Sequence, residues 1–184
     1  MLYSKEYELK DHSKVLIRNG VFEDGENVLS VFKQVSTESE NIGPYLEEIN
    51  STTSEESLLL DIEMKESRDA FLVAEYDNKI VGMISLYCVR ERFKTKHRAT
   101  FGLSILKEYS NLGIGSALLR SCITCAKQAG YKQLELDVVE DNKHAYHLYQ
   151  KFGFQEYGRN QKGFHLKDGS YHCLILMSLV LEDE

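Results

Sequence analysis

Two glycines, Gly113 and Gly115, lie between a strand-like segment and a helical segment, and this junction constrains the fold more than any other part of the chain. The preceding segment, RATFGLSILKEY, alternates apolar and polar residues as a strand does. Residues 113–129 then repeat apolar side chains at helical spacing up to Gly130, and a glycine is common directly after a helix. Because KQLELDVV follows as a second strand, residues 99–139 predict two parallel strands joined by a crossover helix.

Further strands and helices are predicted on both sides of this unit. Their order along the chain is β, α, α, β, β, β, α, β, α, β, β, beginning with a strand at Lys14–Asn19. Asp24 is predicted to cap the first helix, and Thr53 and Glu56 have the spacing of a capping box at the second. The length of 184 residues fits one domain, residues 1–184. We therefore predict an α/β (α+β) fold with a mixed, mostly antiparallel central sheet of about seven strands flanked by helices.

Composition and charge narrow the class of protein. Apolar residues make up 42% of the chain and charged residues 28%, which is an ordinary globular composition. The formal net charge of -7 argues against a nucleic-acid partner, because phosphate binding requires clustered lysine and arginine. No apolar run approaches the roughly 20 residues that cross a bilayer, and the opening residues lack the apolar core of a secretory signal. We therefore expect a cytoplasmic protein without nucleic-acid or membrane partners. Its four cysteines are expected to be reduced thiols in apolar segments: Cys88, Cys122, Cys125 and Cys173.

The glycine turn either binds an anion or simply connects a strand to a helix. Gly113 and Gly115 have no side chains to block the backbone N–H groups, and a helix N-terminus carries partial positive charge. A dinucleotide fingerprint requires a third glycine, where Leu118 stands, and a Walker A loop requires a lysine that this stretch lacks. Those two nucleotide-binding classes are therefore excluded, while another anion site and a plain turn both stay open.

A second motif lies downstream of the glycine turn. LELDVVEDNKHAYHLYQKFGF places Asn142, Ala145 and Tyr149 before Gly153-Phe154. Together with Gly113-Ile114-Gly115, these residues resemble the signature of the GNAT superfamily of N-acetyltransferases, in which Gln/Arg-x-x-Gly-x-Gly/Ala opens a helix. The stretch HRATFGLSI and the final hairpin are most similar to those of bacterial spermidine and ribosomal-protein acetyltransferases. The resemblance implies a GNAT fold with a splayed parallel strand pair and acetyl-CoA-dependent acetyl transfer to an amine.

The resemblance also implies which residues hold acetyl-CoA, the co-substrate. Backbone amides around residues 112–116 would cradle its pyrophosphate, and residues 104–106 would pair with the pantetheine arm like an added strand. Ser110 stands where the family usually has Gln or Arg, so one common phosphate contact is missing and weaker coenzyme A binding is expected. The expected cofactor-binding residues are Ser104, Ile105, Leu106, Leu112, Gly113, Ile114, Gly115, Ser116 and Asn142.

Acetyl transfer from a thioester to an amine requires a base for the amine proton and an acid for the departing thiolate. A tyrosine, with an ordinary pKa near 10, holds its proton at neutral pH, and the resemblance assigns the acid to Tyr149. Core packing beside Phe152 and Phe154 is the other interpretation of this tyrosine. Asn142 lies two helical turns before Tyr149, where it would contact the pantetheine arm or simply cap the helix.

The base is less well defined by the sequence. Along LELDVV, Glu135 and Asp137 alternate with apolar residues and share one strand face. Asp137 lies twelve residues before Tyr149, the spacing of a catalytic Glu in some bacterial ribosomal-protein acetyltransferases, and Glu135 is the second choice. A solvated or salt-bridged strand face explains the same pattern. His97 is a further candidate base or proton relay, with a surface position as its alternative.

We therefore predict an acetyl-CoA-dependent N-acetyltransferase with direct transfer to a primary amine of a small molecule, a polyamine or a peptide N-terminus. Tyr149, Asp137 and His97 are its catalytic candidates. No metal site is expected, because His144 and His147 lack further ligands at metal-binding spacing. A non-catalytic acyl-CoA-binding or sensing module is the alternative function. The acceptor and the oligomeric state, a homodimer included, stay open.

Overall fold

The computed structural model describes residues 2–65 and 68–182. The element order agrees with the sequence prediction, with one additional strand at the beginning. The strands are β1 (Ser4–Glu8), β2 (Lys14–Asn19), β3 (Ala70–Tyr76), β4 (Lys79–Cys88), β5 (Arg98–Ile105), β6 (Gln133–Val139), β7 (Gln155–His165) and β8 (Tyr171–Val180). The α-helices are α1 (Gly25–Glu38), α2 (Thr53–Lys65), α3 (Ile114–Gln128) and α4 (Lys143–Lys151).

The described strands form one sheet of eight in the order β1-β2-β3-β4-β5-β6-β8-β7. The predicted mixed sheet of about seven strands is confirmed, with one strand more than the seven placed from the sequence. The unpredicted strand is β1, an edge strand of sequence SKEYE that is exposed except at the half-buried Tyr7. Such a polar strand carries no alternating apolar pattern, and pairing with β2 determines its conformation.

The predicted parallel strand pair is confirmed, and it is short. Strands β5 and β6 pair over three positions, from Arg98–Gln133 to Thr100–Glu135. Beyond Thr100, β5 continues to Ile105 while pairing with β4, and β6 continues to Val139 while pairing with β8. The two strands therefore separate towards their carboxyl ends and leave an opening between them.

Helices cover the two sheet faces unequally. Leu118, Leu119 and Cys122 of α3 are at most 1% exposed and belong to the main core, which includes β5, β6 and β8. On the opposite face, α1 packs on β4 and β5, and α2 packs on β3. Because α1 and α2 contact β3, β4 and β5 most, these helices cover the residues on the same face of β6 less. No helix in the described ranges is long and apolar enough to cross a bilayer.

Two predicted helix caps are wrong in detail. Asp24 precedes α1 but makes no capping hydrogen bond, because its carboxylate binds the Arg18 guanidinium and accepts the Val21 N–H at 2.9 Å. The capping box of α2 lies one residue before the predicted pair. Thr52 and Glu55 form it, with the Thr52 N–H donating to Glu55 at 2.8 Å.

Candidate functional site

The glycine turn positions the N-terminus of α3 at the opening between β5 and β6. Gly113, the residue before the helix, has a φ of 109°, a left-handed conformation that favours glycine. No side chain among the described residues caps this helix. Its first N–H groups lack intrahelical acceptors by geometry, so they are available to an anion.

Gly115 allows α3 to approach its neighbours closely. A Cβ atom at this position would lie 3.2 Å from Ile105 Cδ1 and 3.3 Å from Leu148 Cδ2, which is tighter than most real contacts. Ile105 ends β5 and Leu148 belongs to α4. The glycine therefore brings the start of α3 between the end of β5 and α4, beside the strand opening.

The end of β5 presents backbone groups to this opening. Ser104 and Ile105 pair with Met83 and Gly82 of β4 on one side, and backbone groups alternate between the two sides of a strand. The Leu106 N–H already donates to the Val81 carbonyl at 3.0 Å, so this amide is directed at β4. Because Ser104 lies two residues before Leu106, its backbone groups are directed at β4 as well, and Ile105 is the residue whose backbone groups are directed at the opening.

Asn142 and Ser110 border the same region with different surroundings. Asn142 Oδ1 accepts the Ala145 N–H at 3.2 Å, so this residue caps α4, as one of the two predicted roles requires. Ser110 is exposed in the turn before Gly113. A serine hydroxyl is much shorter than the Gln or Arg side chain that the family usually has there.

Tyr149 is a buried tyrosine with an unbonded hydroxyl. Its ring is 7% exposed and packs edge to face against Phe101 and Phe154, each with centroids 5.8 Å away. Burial raises its pKa to about 12, with a smaller contribution from Cys122. Within the described residues the hydroxyl has no hydrogen-bond partner, so its proton is available for donation.

A cavity of about 450 Å³ lies at the base of the opening and contains Asp137. Burial raises the pKa of the Asp137 carboxyl, and the negative charge of Glu135 raises it further. No hydrogen bond contributes to this shift, so the carboxylate keeps its acceptor capacity. The cavity is lined by Tyr87, Cys88, Val89, Thr100, Phe101, Glu135, Leu136, Asp137 and Tyr157.

Glu135, the second-choice base, is held in an ion pair. It is 8% exposed and binds Arg98 through both carboxylate oxygens, with Arg98 Nη2 at 2.6 Å from Oε2. Gln133 Nε2 donates to the same carboxylate at 2.7 Å. Hydrogen bonding to Arg98 is the main cause that lowers the pKa of Glu135. Asp137 is therefore the better proton acceptor of the two.

The predicted histidines lie outside this cavity. His97 is exposed, and its carbonyl accepts the Lys132 N–H at 2.8 Å, at the paired end of β5 and β6. His144 and His147 are exposed on α4. Asp137 and Tyr149 thus lie beside the strand opening, and Asp137 also lines the cavity. His97 lies at neither place.

Three residues of the cavity region were not singled out from the sequence. Tyr87 and Tyr157 are 45% and 57% exposed, and they lie in the cavity wall. Arg98 neutralises Glu135. Tyr87 and Arg98 lie in strands whose alternating pattern weakly indicates which face each side chain occupies. No such pattern places Tyr157, which reaches the cavity only because β7 pairs with β8.

Comparisons with known proteins identify the class and then the family. The chain is similar to L-amino acid N-acetyltransferase AaaT of Escherichia coli, with 35% identity over 110 residues, 59% of this chain and 67% of that protein. Several other curated N-acetyltransferases are matched over 41% to 60% of their length. These relatives are acetyltransferases. The family model described as Acetyltransferase (GNAT) family matches residues 35–154, and the chain therefore belongs to the GNAT family.

Solved structures agree on the fold. A GNAT-family acetyltransferase from Streptococcus pneumoniae superposes with a TM-score of 0.87 and 28% identity, covering 91% of this chain and 99% of that one. The Salmonella typhimurium protein yncA, solved with its cofactor acetyl-CoA, has a TM-score of 0.82 at 17% identity, covering 94% of this chain and 96% of that one. The resemblance drawn from the sequence motifs is confirmed.

Proposed function

We propose that this chain transfers the acetyl group of acetyl-CoA directly to a primary amine. The main support is the position of Phe101, whose ring contacts Tyr149 and also lines the cavity that contains Asp137. Tyr149 and Asp137 therefore both lie near Phe101 at the strand opening, which suits the proposed pair of acid and base. The similar Escherichia coli protein, an L-amino acid N-acetyltransferase, supports an amine as the acceptor.

The residues at the opening fit acetyl-CoA. The uncapped start of α3 at Gly113 and Ile114 would hold the pyrophosphate through N–H groups, together with Leu112, Gly115 and Ser116. The backbone of Ile105 would pair with the amide groups of the pantetheine arm, while Ser104 and Leu106 direct their backbone groups at β4. Asn142 would contribute from the start of α4. Bound acetyl-CoA supplies the acetyl group as a thioester.

Asp137 would act as the base and Tyr149 as the acid. Asp137 accepts a proton from the ammonium form of the acceptor, and the neutral nitrogen then forms the C–N bond to the acetyl carbon. Tyr149 donates its proton to sulfur as the C–S bond breaks. After the C–N bond forms, the nitrogen still carries one proton more than the amide product, and this proton would pass through solvent to Tyr149 and restore its phenol. Asp137 would release the first proton to solvent, which completes the proton balance. His97 lies outside the cavity, so it would act only as a relay through solvent.

Direct transfer is favoured over an acyl-enzyme. Cys88 is the cysteine that lines the cavity, and burial together with Glu91 raises the pKa of its thiol. A protonated thiol is a poor nucleophile at neutral pH. No covalent intermediate on the protein is therefore invoked.

The alternative is an acyl-CoA-binding or sensing module without turnover. The observation that favours it is the exposed Ser110, which stands where the family has a longer phosphate-binding side chain. Titration calorimetry with acetyl-CoA, followed by thiol release with alaninamide, spermidine and short peptides, separates the two functions. Thiol release that depends on the amine supports the enzyme, whereas tight binding without release from any amine supports the sensor.

A further inference from the structure

Arg98 and Glu135 form an ion pair at the cavity that contains Asp137. In the parallel pair of strands, Arg98 lies opposite Gln133 and Thr100 lies opposite Glu135. Paired residues share one face of a sheet, as do alternate residues along a strand. Arg98, Glu135 and Asp137 therefore project from the same face. Glu135 and Asp137 line the cavity, and Glu135 holds the guanidinium of Arg98 beside it.

The ion pair leaves the cavity without an available cation. Glu135 and Asp137 are the charged residues among the described ones that line it, and both are carboxylates. The Arg98 guanidinium binds both oxygens of the Glu135 carboxylate, with Nη2 at 2.6 Å from Oε2. The positive charge of Arg98 is thus already neutralised, and the cavity offers a carboxylate-bearing ligand no free partner.

Arg98 is close enough to the cavity to bind an acceptor if Glu135 did not occupy it. Burial raises the pKa of Tyr157 in the cavity wall, Glu135 and Asp137 raise it further, and Arg98 lowers it. The charge of Arg98 therefore acts on a group that lines the cavity. The Arg98 side chain is also 36% exposed, so it does not depend on Glu135 for its solvation.

The spacing of the two carboxylates matches the size of an α-amino acid. Side chains two residues apart on a strand project about 7 Å from one another. An amine that contacts Asp137 and a neighbouring carboxyl group that contacts the Glu135 position, through hydrogen bonds of about 3 Å each, fit this separation. A free carboxylate would there face the negative charge of Glu135 and be repelled, whereas an uncharged amide would not.

We propose that Glu135 determines acceptor specificity, because it neutralises Arg98 and repels amines that carry a free carboxylate on the adjacent carbon. The preferred acceptors are then amines in which this carboxyl group is absent or is part of an amide, such as alkylamines and peptide N-termini. This inference rests on the proposed function, because it selects among the primary amines proposed there. Glu135 acts on the acceptor, and Arg98 is the cation that it masks.

Alanine and alaninamide test the proposal in the unmodified protein. The two acceptors have the same α-amino group and side chain, and only alanine carries a carboxylate. Values of kcat/KM are compared per neutral amine, which removes the difference between the pKa values of the two amines. Alaninamide should exceed alanine by about tenfold or more. Equal values overturn the proposal.

Glu135→Gln tests the cause, because it removes the negative charge and keeps the size of the side chain. The ratio of kcat/KM for alanine to that for alaninamide should rise about tenfold, since Arg98 can then bind the carboxylate. Effects on proton transfer are common to both acceptors and cancel in the ratio. Glu156→Gln is the matched control, because it breaks an exposed pair with Arg159 outside the cavity lining, and it should leave the ratio unchanged.

Adding Arg98→Met to Glu135→Gln should abolish the rise in the ratio. An unchanged ratio in Glu135→Gln overturns the proposal, and a rise that survives the addition of Arg98→Met overturns the part of Arg98 in it. Propionate binding, followed by NMR through the Arg98 Nε–H signal, gives a readout that requires no turnover.

Propionate should shift the Arg98 signal in Glu135→Gln and leave it in place in the unmodified protein, and equal shifts in both overturn the masking of Arg98. If the unmodified protein acetylates neither amine, its proposed action on α-amino acceptors fails. Propionate binding alone then decides whether Glu135 masks Arg98.

Discussion

The rings of Phe101 and Tyr149 meet edge to face with centroids 5.8 Å apart, and Phe101 also lines the cavity around Asp137. One aromatic side chain thus contacts the proposed acid and borders the proposed base. The acid belongs to α4 and the base to β6, so two separate elements must pack correctly to create the pair.

Tyr149→Phe should lower kcat by about 100-fold or more, because the variant keeps the ring packing but cannot protonate the departing thiolate. Since the pKa of Tyr149 is raised to about 12, the unmodified enzyme keeps this proton through the usual assay range. Rates are measured by thiol release from neutral to alkaline pH. Tyr146→Phe is the control on the same helix, because its hydroxyl bonds Gln150 at 3.2 Å instead. An unchanged rate for Tyr149→Phe across alkaline pH contradicts its role as the acid.

Asp137→Asn should lower kcat/KM by about 10- to 100-fold at neutral pH, because an amide cannot accept the amine proton. In the unmodified enzyme kcat/KM should rise with pH through the Asp137 pKa, which is raised by burial and by Glu135. The variant should lose this rise. Asp141→Asn, which changes an exposed carboxylate four residues beyond Asp137 and outside the cavity lining, should keep it. A pH profile that Asp137→Asn leaves unaltered would assign the base to another group.

The same substitution has an expected effect on stability. A carboxyl whose pKa is higher in the folded state binds protons more strongly when folded, so its contribution to stability falls as pH rises through its pKa. An asparagine does not ionise, so it does not lose stability in this way as the pH rises. Asp137→Asn should therefore raise the melting temperature relative to the unmodified protein at about pH 8 but not at about pH 3. The comparison requires thermal unfolding at both values, and an equal shift at both would show that packing, not ionisation, is responsible.

Arg98→Met should lower the free energy of unfolding by about 2 kcal/mol, because it leaves Glu135 buried without its cation. The loss stays this small because solvent screens the partly exposed Arg98 guanidinium. The pKa of Glu135 is lowered by this pair, so the contribution is present above the ordinary glutamate pKa and lost as pH falls through the folded one. Urea unfolding at neutral and acidic pH measures it. Arg159→Met, which breaks exposed pairs with Glu156 and Glu140, is the control and should change stability little. If both variants lost the same free energy of unfolding, the burial of Glu135 would not be the cause of the loss in Arg98→Met.

Gly113→Ala should weaken acetyl-CoA binding by about tenfold, because an alanine resists the φ of 109° and tilts the first N–H groups of α3. Gly130→Ala is a matched control with a φ of 78° at the opposite end of the helix and no atom near its added Cβ. Both variants should lose about 1 kcal/mol of stability from backbone strain. Calorimetry should show weaker acetyl-CoA binding for Gly113→Ala but not for Gly130→Ala. Equal acetyl-CoA affinities in the two variants would mean that the pyrophosphate does not bind at the start of α3.

Local patterns carried much of the fold prediction. The apolar period of α3, the glycine after it and the alternation along β6 predicted a strand, a helix and a strand in the right order, because each depends on neighbouring residues alone. The strand β1 was missed because its side chains are polar and only pairing with β2 makes it a strand. Asp24 was misassigned for a related reason, since Arg18 competes for the carboxylate that would otherwise cap α1.

At the site, the residue types and their spacing could be predicted from local sequence alone: the glycine turn, the capping Asn142, Tyr149, and two carboxylates on one face of β6. Which of the two carboxylates is available to a substrate depends, in contrast, on how the strands pack. Glu135 and Asp137 are equivalent in strand alternation, but β5 brings Arg98 to Glu135 and leaves Asp137 in the cavity without a cation. Strand packing also places Phe101 against Tyr149 and in the wall of the cavity around Asp137, and it brings Tyr45 to Lys167, which lies 122 residues later in the chain. Contacts between residues far apart in the chain depend on strand order and packing, which no local pattern encodes.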